Sequence, residues 1–295
     1  MVLAPLKNTS LGMPGHYVSP QTGAVPAADD TLLEDYRALN DPERRREVER
    51  RGGVFIVEGA LALEALLGSE FHIRSVLAAE RTAERVRSLV GGRAPIVVRS
   101  DDEVEAIAGF PFHRGVLAAA DRRPLPLVAD VLEGAELVVV AEGLTDHENV
   151  GALFRNAAAF GVDAVLLDPA TADPLYRRSV RVSLGHVLRV SWTRVPTWPH
   201  GLRELRQRRF ELIALTPAPE AQPIDAVALD LAGRRPRVAL LVGAEGPGLS
   251  DAALATSDRR VRIPIAAGVD SLNVATAAAV ALHRLSTFDP ARCPP

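Results

Sequence analysis

At about 150 residues per domain, a chain of 295 residues has a prior of two domains. Hydrophobic residues make up 47% and charged residues 24%, enough apolar surface for packed cores, which excludes a wholly disordered chain. A net charge of -3 excludes a uniformly basic coat for nucleic acid, although the 34 basic residues comprise one lysine, Lys7, and 33 arginines. Arginine's planar fork suits phosphate, and a base-composition bias of the genome is the other reading of that skew.

Residues 1–30 mix Pro, Gly, Ser, Thr and Ala with no sustained period and read as a poorly ordered tail. Residues 32–51 read as helix with a break at Pro42. They end in alternating Glu and Arg, either a solvated ion-paired face or an RNA contact. Short apolar runs follow at VFIVEG (54–59), IRSVLAAE (73–80), PIVVRS (95–100) and RGVLAAA (114–120), with helical segments between the first three and after the third. That alternation makes residues 31–121 a small α/β domain. Two prolines in ADRRPLPL (120–127) mark its boundary. Over residues 130–288 the expected strands are ELVVVAEG (136–143), DAVLLD (163–168), HVLRVSW (186–192), FELIALT (210–216), RVALLVG (237–243) and RVRIPI (260–265). Such continuous apolar runs with helices between them suit a parallel sheet covered on both faces. The fold class is therefore α/β, a small N-terminal domain ahead of a parallel-sheet domain, without an internal repeat.

Ligands of open α/β sheets collect at the carboxyl ends of strands, and three segments place Gly, Asn, Ser or a charge there. In DHENVGALFRNAAAFG (146–161), Asn149 is a candidate cap, Gly161 closes the helix, and Val150, Leu153, Phe154 and Ala157 repeat as an inward face. Gly151 leaves room for a ligand one turn before Arg155, a charge that is unfavourable early in a helix unless an anion joins it. A surface arginine on an amphipathic helix is the plainer alternative. ALLVGAEGPGLS (239–250) runs a buried strand into Gly243, Gly246 and Gly248 around Glu245. It matches neither G-x-G-x-x-G nor a P-loop, so dinucleotide and nucleoside-triphosphate readings lose support and a plain turn remains the alternative. In RIPIAAGVDSLNVATAAAVALHRL (262–285), Gly268 lies in a loop, Ser271 and Asn273 open a helix, and Ala275, Ala277, Ala278 and Ala281 allow close packing.

Other templates are missing. There is no H-E-x-x-H and no G-x-S-x-G, and His147, His186 and His283 lack metal-ligand spacing, so no metal is expected. The single cysteine, Cys293, forms no intrachain disulfide, which sets a reducing compartment as the default. No run approaches the roughly 18 apolar residues of a membrane span, and no signal-like start opens the chain. A cytoplasmic protein without a membrane partner is expected.

In this order, N-x-G-A-x-x-R-x-A-x-x-F-G, L-x-x-G-x-E-G-x-G-L and I-P-x-x-x-G-x-x-S-L-N-V-A resemble the three signature motifs of the SpoU (TrmH-type) RNA ribose 2'-O-methyltransferases of the SPOUT superfamily. The resemblance covers about 150 residues from Val138 to Phe288. Upstream, FIVEG (55–59) and IAGFPFHRGVLA (107–118) resemble the ribosomal-protein-like RNA-binding domain of many members. The resemblance implies a C-terminal trefoil knot, an S-adenosylmethionine site built from its loops, and a homodimer whose active site draws on both subunits. It implies methyl transfer to structured RNA, ribosomal RNA ahead of transfer RNA. A catalytically weak RNA-binding or ribosome-assembly factor on the same scaffold is the alternative. Asn149, Arg155, Glu245, Ser271 and Asn273 match catalytic positions, and Thr216, Gly243, Glu245, Gly246, Ile263 and Leu272 match the cofactor loops. His113 and Arg114, in F-x-x-H-R-G, match the RNA-binding piece. Residues 171–210 add nine arginines against two acids, Asp173 and Glu204, so phosphate attraction is local, and Arg177, Arg178 and Arg181 are the expected RNA contacts.

Overall fold

The computed structural model describes residues 28–41, 43–44, 53–234 and 236–286. The expected tail lies outside them up to residue 27, and so does the charge run over 45–51. The last residues of the expected tail instead begin helix α1 (Ala28–Leu33). Residues 43–44, beyond Pro42, are helical as expected, but a 3-10 turn, Glu34–Tyr36, ends α1 before the break expected at that proline. The cause is Tyr36. Its buried hydroxyl donates to the Ser75 carbonyl at 2.7 Å and accepts from the Ala119 amide at 3.1 Å, drawing the chain onto the sheet below.

That sheet holds β1 (Val54–Glu58), β2 (Ile73–Ala79), β3 (Ile96–Arg99) and β4 (Val116–Asp121) in the order β1-β4-β2-β3. β4 runs antiparallel to both neighbours, and β2 and β3 are parallel. Alternation sorts its side chains by face. Val54 and Ile56 pack with Tyr36, Val104 and Phe112 on one side. Phe55 and Val57 join helix α2 (Ala60–Leu67) in a core that continues into the second sheet. Helices α3 (Ala83–Val90) and α4 (Asp101–Ala108) complete this unit.

After α5 (Val128–Val131) the second sheet begins. Its strands are β5 (Leu137–Glu142), β6 (Ala164–Leu167), β7 (Ser191–Arg194), β8 (Phe210–Leu215), β9 (Gln222–Pro223), β10 (Arg237–Gly243) and β11 (Arg259–Arg262). All are parallel, in the order β7-β6-β5-β10-β8-β11-β9, with helices α8 (Leu202–Gln207), α9 (Ile224–Arg234) and α10 (Asp251–Thr256) preceding β8, β10 and β11. Val139, Val165 and Leu240 face the core shared with the first sheet, while Val138, Leu166 and Leu241 face a separate cluster with Leu202 and Leu205. Both faces are buried, which is why these strands read as unbroken apolar runs. The strand expected over 186–192 is in fact a 3-10 turn, His186–Leu188, followed by β7. Gly185, at φ +84°, makes that turn, and a Cβ there would stand 2.4 Å from the Ala65 methyl of α2. The apolar residues of the segment are buried by a turn pressed on the first unit.

Candidate functional site

Strand order reverses between β5 and β10, whose carboxyl ends lie side by side with Gly243 opposite Glu142. Such a switch point opens a crevice. β5 leads into α6 (His147–Ala159), and β10 leads into a loop that folds back on its own strand. Gly243 permits the fold-back, since a Cβ there would lie 2.2 Å from the backbone of Gly248 and Leu249. Gly246 and Gly248 carry the loop at φ +87° and +71°.

A cavity of about 440 Å³ opens at the ends of β8, β10 and β11, within the range of roughly 300–1,000 Å³ usual for small-molecule sites. Leu215, Val242, Ile263, Leu272 and Val274 give it apolar walls, and Thr216, Gly243, Gly246, Ser271 and Asn273 line the rest. Glu245 is the one ionisable residue among the described residues that line it. The arrangement therefore suits a flat, largely apolar ligand carrying positive charge, and it offers no cation to phosphate groups.

Asn273 joins the three sequence segments. Its Nδ2 donates to Asn149 Oδ1 and to Glu245 Oε1, each at 2.7 Å. Its Oδ1 accepts from the amides of Ala275 at 3.0 Å and Thr276 at 3.1 Å, capping α11 (Val274–Ser286). The helix thus opens after Asn273, and Ser271 stays in the loop on the cavity wall. Asn149 is not the cap of α6. Asp146 holds that place, accepting from the Glu148 amide at 2.8 Å, and Asn149 lies buried in the first turn. The space above Gly151 is not open to a ligand either. A Cβ there would be 2.6 Å from the Ser179 carbonyl, because α7 (Arg177–Val182) packs directly on it.

Arg155 is exposed, makes no hydrogen bond or ion pair among the described residues, and does not line the cavity. It lies close enough to His186 to act on its charge. Burial first, then Arg189 and Arg155, hold that imidazole below its ordinary value of 6.5.

A family model described as the SpoU rRNA Methylase family matches residues 136–283. The chain belongs to the SpoU rRNA methylase family. An uncharacterized tRNA/rRNA methyltransferase of Mycobacterium tuberculosis is 48% identical over 257 residues, 86% of this chain and 88% of that protein. A 23S rRNA (guanosine-2'-O-)-methyltransferase of Bordetella pertussis is 33% identical over 211 residues, 70% of this chain and 79% of that protein. The crystal structure of an AdoMet-bound rRNA methyltransferase from Sinorhizobium meliloti superposes with a TM-score of 0.71 at 25% identity, covering 90% of this chain and 97% of that one.

Around the SpoU motifs, carboxylates that the sequence reading passed over pin the loops. Glu142, ending β5, accepts from the Ser250 amide at 2.8 Å and from Trp198 Nε1. Asp168, after β6, accepts from Gly143 N at 3.0 Å and Thr171 N at 2.7 Å. Their signal is a single acid closing an apolar run. The expected RNA contacts are partly engaged: Arg177 and Arg181 pair with Glu58 at 3.0 and 3.1 Å, and Arg114 reaches it at 3.7 Å. Arg178 pairs with Glu148 at 2.7 Å, and His113 is exposed. No group of three or more His, Cys, Asp or Glu among the described residues could hold a metal. No helix among them is long and apolar enough to cross a membrane.

Proposed function

We propose that this chain transfers a methyl group from S-adenosylmethionine to a ribose 2'-hydroxyl of structured RNA, with ribosomal RNA ahead of transfer RNA. The observation that carries the reading is the hydrogen-bonded chain Asn149–Asn273–Glu245, which draws residues from all three motifs to the edge of one cavity. The cavity fits the cofactor. Its apolar walls suit an adenine ring, the glycine-bearing loop brings backbone amides close, and its single carboxylate complements a sulfonium. Bound there, S-adenosylmethionine supplies an electrophilic methyl group.

The protein's own task is to align the hydroxyl and manage its proton. Asn149, Ser271 and Asn273 orient by hydrogen bonding, and Thr216, Ile263 and Leu272 hold the cofactor against the glycine-bearing loop after β10. Arg155 stabilises charge developing on the 2'-oxygen. A guanidinium aimed at a developing oxyanion offers both hydrogen-bond donors and positive charge. Arg155 lies off the cavity wall of its own chain, which supports a homodimer whose active site draws on both subunits. Exposed Ile265, Val269 and Leu272 beside the cavity support an apolar contact there. The same reading includes a trefoil knot made by the C-terminal segment, RNA contacts through His113, Arg114, Arg177, Arg178 and Arg181, and a cytoplasmic setting. The rRNA 2'-O-methyltransferase activity named for the Bordetella relative supports the choice of RNA and hydroxyl.

Mapping 2'-O-methylation in total RNA from a strain lacking this chain against its parent tests the reading. One lost site identifies the nucleotide. An unchanged map, with no heat of S-adenosylmethionine binding in calorimetry, would leave a binding or assembly factor instead.

A further inference from the structure

Glu58 ends β1 with its side chain 6% exposed, and three guanidiniums surround it. Arg177 lies at 3.0 Å, Arg181 at 3.1 Å and Arg114 at 3.7 Å, with side-chain exposures of 15%, 29% and 51%. One carboxylate neutralises one of the three, so among the described residues a surplus of two positive charges remains. The described acids beside it are engaged elsewhere, since Glu148 pairs with Arg178 and Asp173 pairs with Arg122, each at 2.7 Å. Guanidiniums gathered around one carboxylate repel each other as well as attract it. Burial, with the repulsion of Arg181 adding to it, already holds the Arg177 guanidinium below its ordinary value.

The cluster is built and oriented. Arg177 is the inner member, with its guanidinium 3.9 Å over the Phe110 ring and its Nη1 on Glu58. Arg114 crosses Gly59, where a Cβ would press on its Cδ at 3.3 Å. Arg114 and Glu58 belong to the first sheet's unit. Arg177 and Arg181 belong to α7, the helix seated on Gly151 of α6. An anion held here would touch both units one helix away from the proposed active site.

We propose that the Glu58 junction is a phosphate-binding site for the RNA backbone, in which Arg114 and Arg181 make the contact and Glu58 and Arg177 are their positioning residues. This rests on the RNA-methyltransferase reading and narrows it at this cluster: Arg177, held between Glu58 and Phe110, acts through its neighbours, and Arg114 and Arg181 meet the phosphate.

Filter binding of ribosomal RNA, extracted from a strain lacking this chain, is measured against salt concentration. Arg114→Ala with Arg181→Ala lowers the salt slope by about 1 to 2 and weakens affinity about tenfold near 0.15 M salt. Arg114→Lys with Arg181→Lys keeps the slope, and S-adenosylmethionine affinity serves as the folding control. Glu58→Gln keeps the positive charges but unties them, so it raises KM for RNA more than it lowers kcat. Wild-type binding with an unchanged slope in the double alanine variant overturns the site. An unchanged KM in Glu58→Gln overturns the positioning role. Failure of the wild-type protein to bind or methylate the RNA takes down the activity reading, and this inference with it.

Discussion

Asn273 Nδ2 meets Asn149 Oδ1 at 2.7 Å across 124 positions of sequence, tying the first turn of α6 to the residue that caps α11. One side chain thus does two jobs with different atoms: its oxygen caps a helix, while its nitrogen bridges Asn149 and Glu245. The two jobs separate by substitution.

Asn273→Ala removes both, at about 1 kcal/mol for the cap and more for the partners left unsatisfied. Asn273→Asp keeps an oxygen for the Ala275 and Thr276 amides but puts a carboxylate against Glu245 and Asn149 Oδ1. Thermal melting is expected to fall in the alanine variant and to recover only the cap's share, about 1 kcal/mol, in the aspartate variant. S-adenosylmethionine affinity, measured by calorimetry, is expected to stay low in both. Recovery of affinity in Asn273→Asp would show that the amide donors are dispensable.

Arg155 makes no hydrogen bond or ion pair among the described residues, so its removal should cost the fold little, within about 0.5 kcal/mol. Stabilisation of a developing oxyanion is worth on the order of 10²–10³ in rate per donor. Arg155→Ala is therefore expected to keep its melting temperature and cofactor affinity while methyl transfer to a matched RNA falls by about that factor. Wild-type transfer in this variant would remove Arg155 from the site.

Apart from β7 and β9, the strands were legible because strands buried on both faces read as apolar runs, and the second and third motifs located the cavity because its walls are strand ends. What was not legible is what covers a residue. Val187 and Leu188 are apolar in a turn as they would be in a strand, and only Gly185 against Ala65 tells the two apart. Gly151 read as space for a ligand, yet α7 occupies that space. Asn149 read as a cap, but Asp146, three residues earlier, meets the free amide first and leaves Asn149 to Asn273. Glu58 and Glu142 were invisible because an acid closing a strand looks like any turn residue until its long-range partners arrive.

Two glycines of one loop should respond differently. Gly243→Ala drives a Cβ to 2.2 Å from the Gly248 and Leu249 backbone, so the fold-back must open and the cavity floor shifts. Gly246→Ala meets nothing within 4 Å and bears only the strain of φ +87°, roughly 1–2 kcal/mol. Loss of S-adenosylmethionine binding is expected for Gly243→Ala, with modest destabilisation and near-normal binding for Gly246→Ala. Equal losses in calorimetry would mean that loop conformation, not the close approach, matters.

His186 gives the fold a pH dependence whose sign follows from its surroundings. Burial, Arg189 and Arg155 disfavour its imidazolium, so its folded pKa lies below the unfolded value near 6.5. Above that value the ring is neutral in both states and its contribution is fully present. As pH falls below about 6.5 the unfolded chain takes up the proton first, and stability declines until the folded pKa is passed. The slope from one proton is at most about 1.4 kcal/mol per pH unit, and solvent around the partly buried ring limits the shift. Urea unfolding of wild type and His186→Gln between pH 7.5 and 5 should therefore converge as the pH falls. In an NMR titration His186 should protonate at lower pH than an unperturbed histidine and move upward in Arg155→Ala, since one of the two neighbouring positive charges is gone. A titration unmoved by Arg155→Ala would place that guanidinium too far from the ring to act on it.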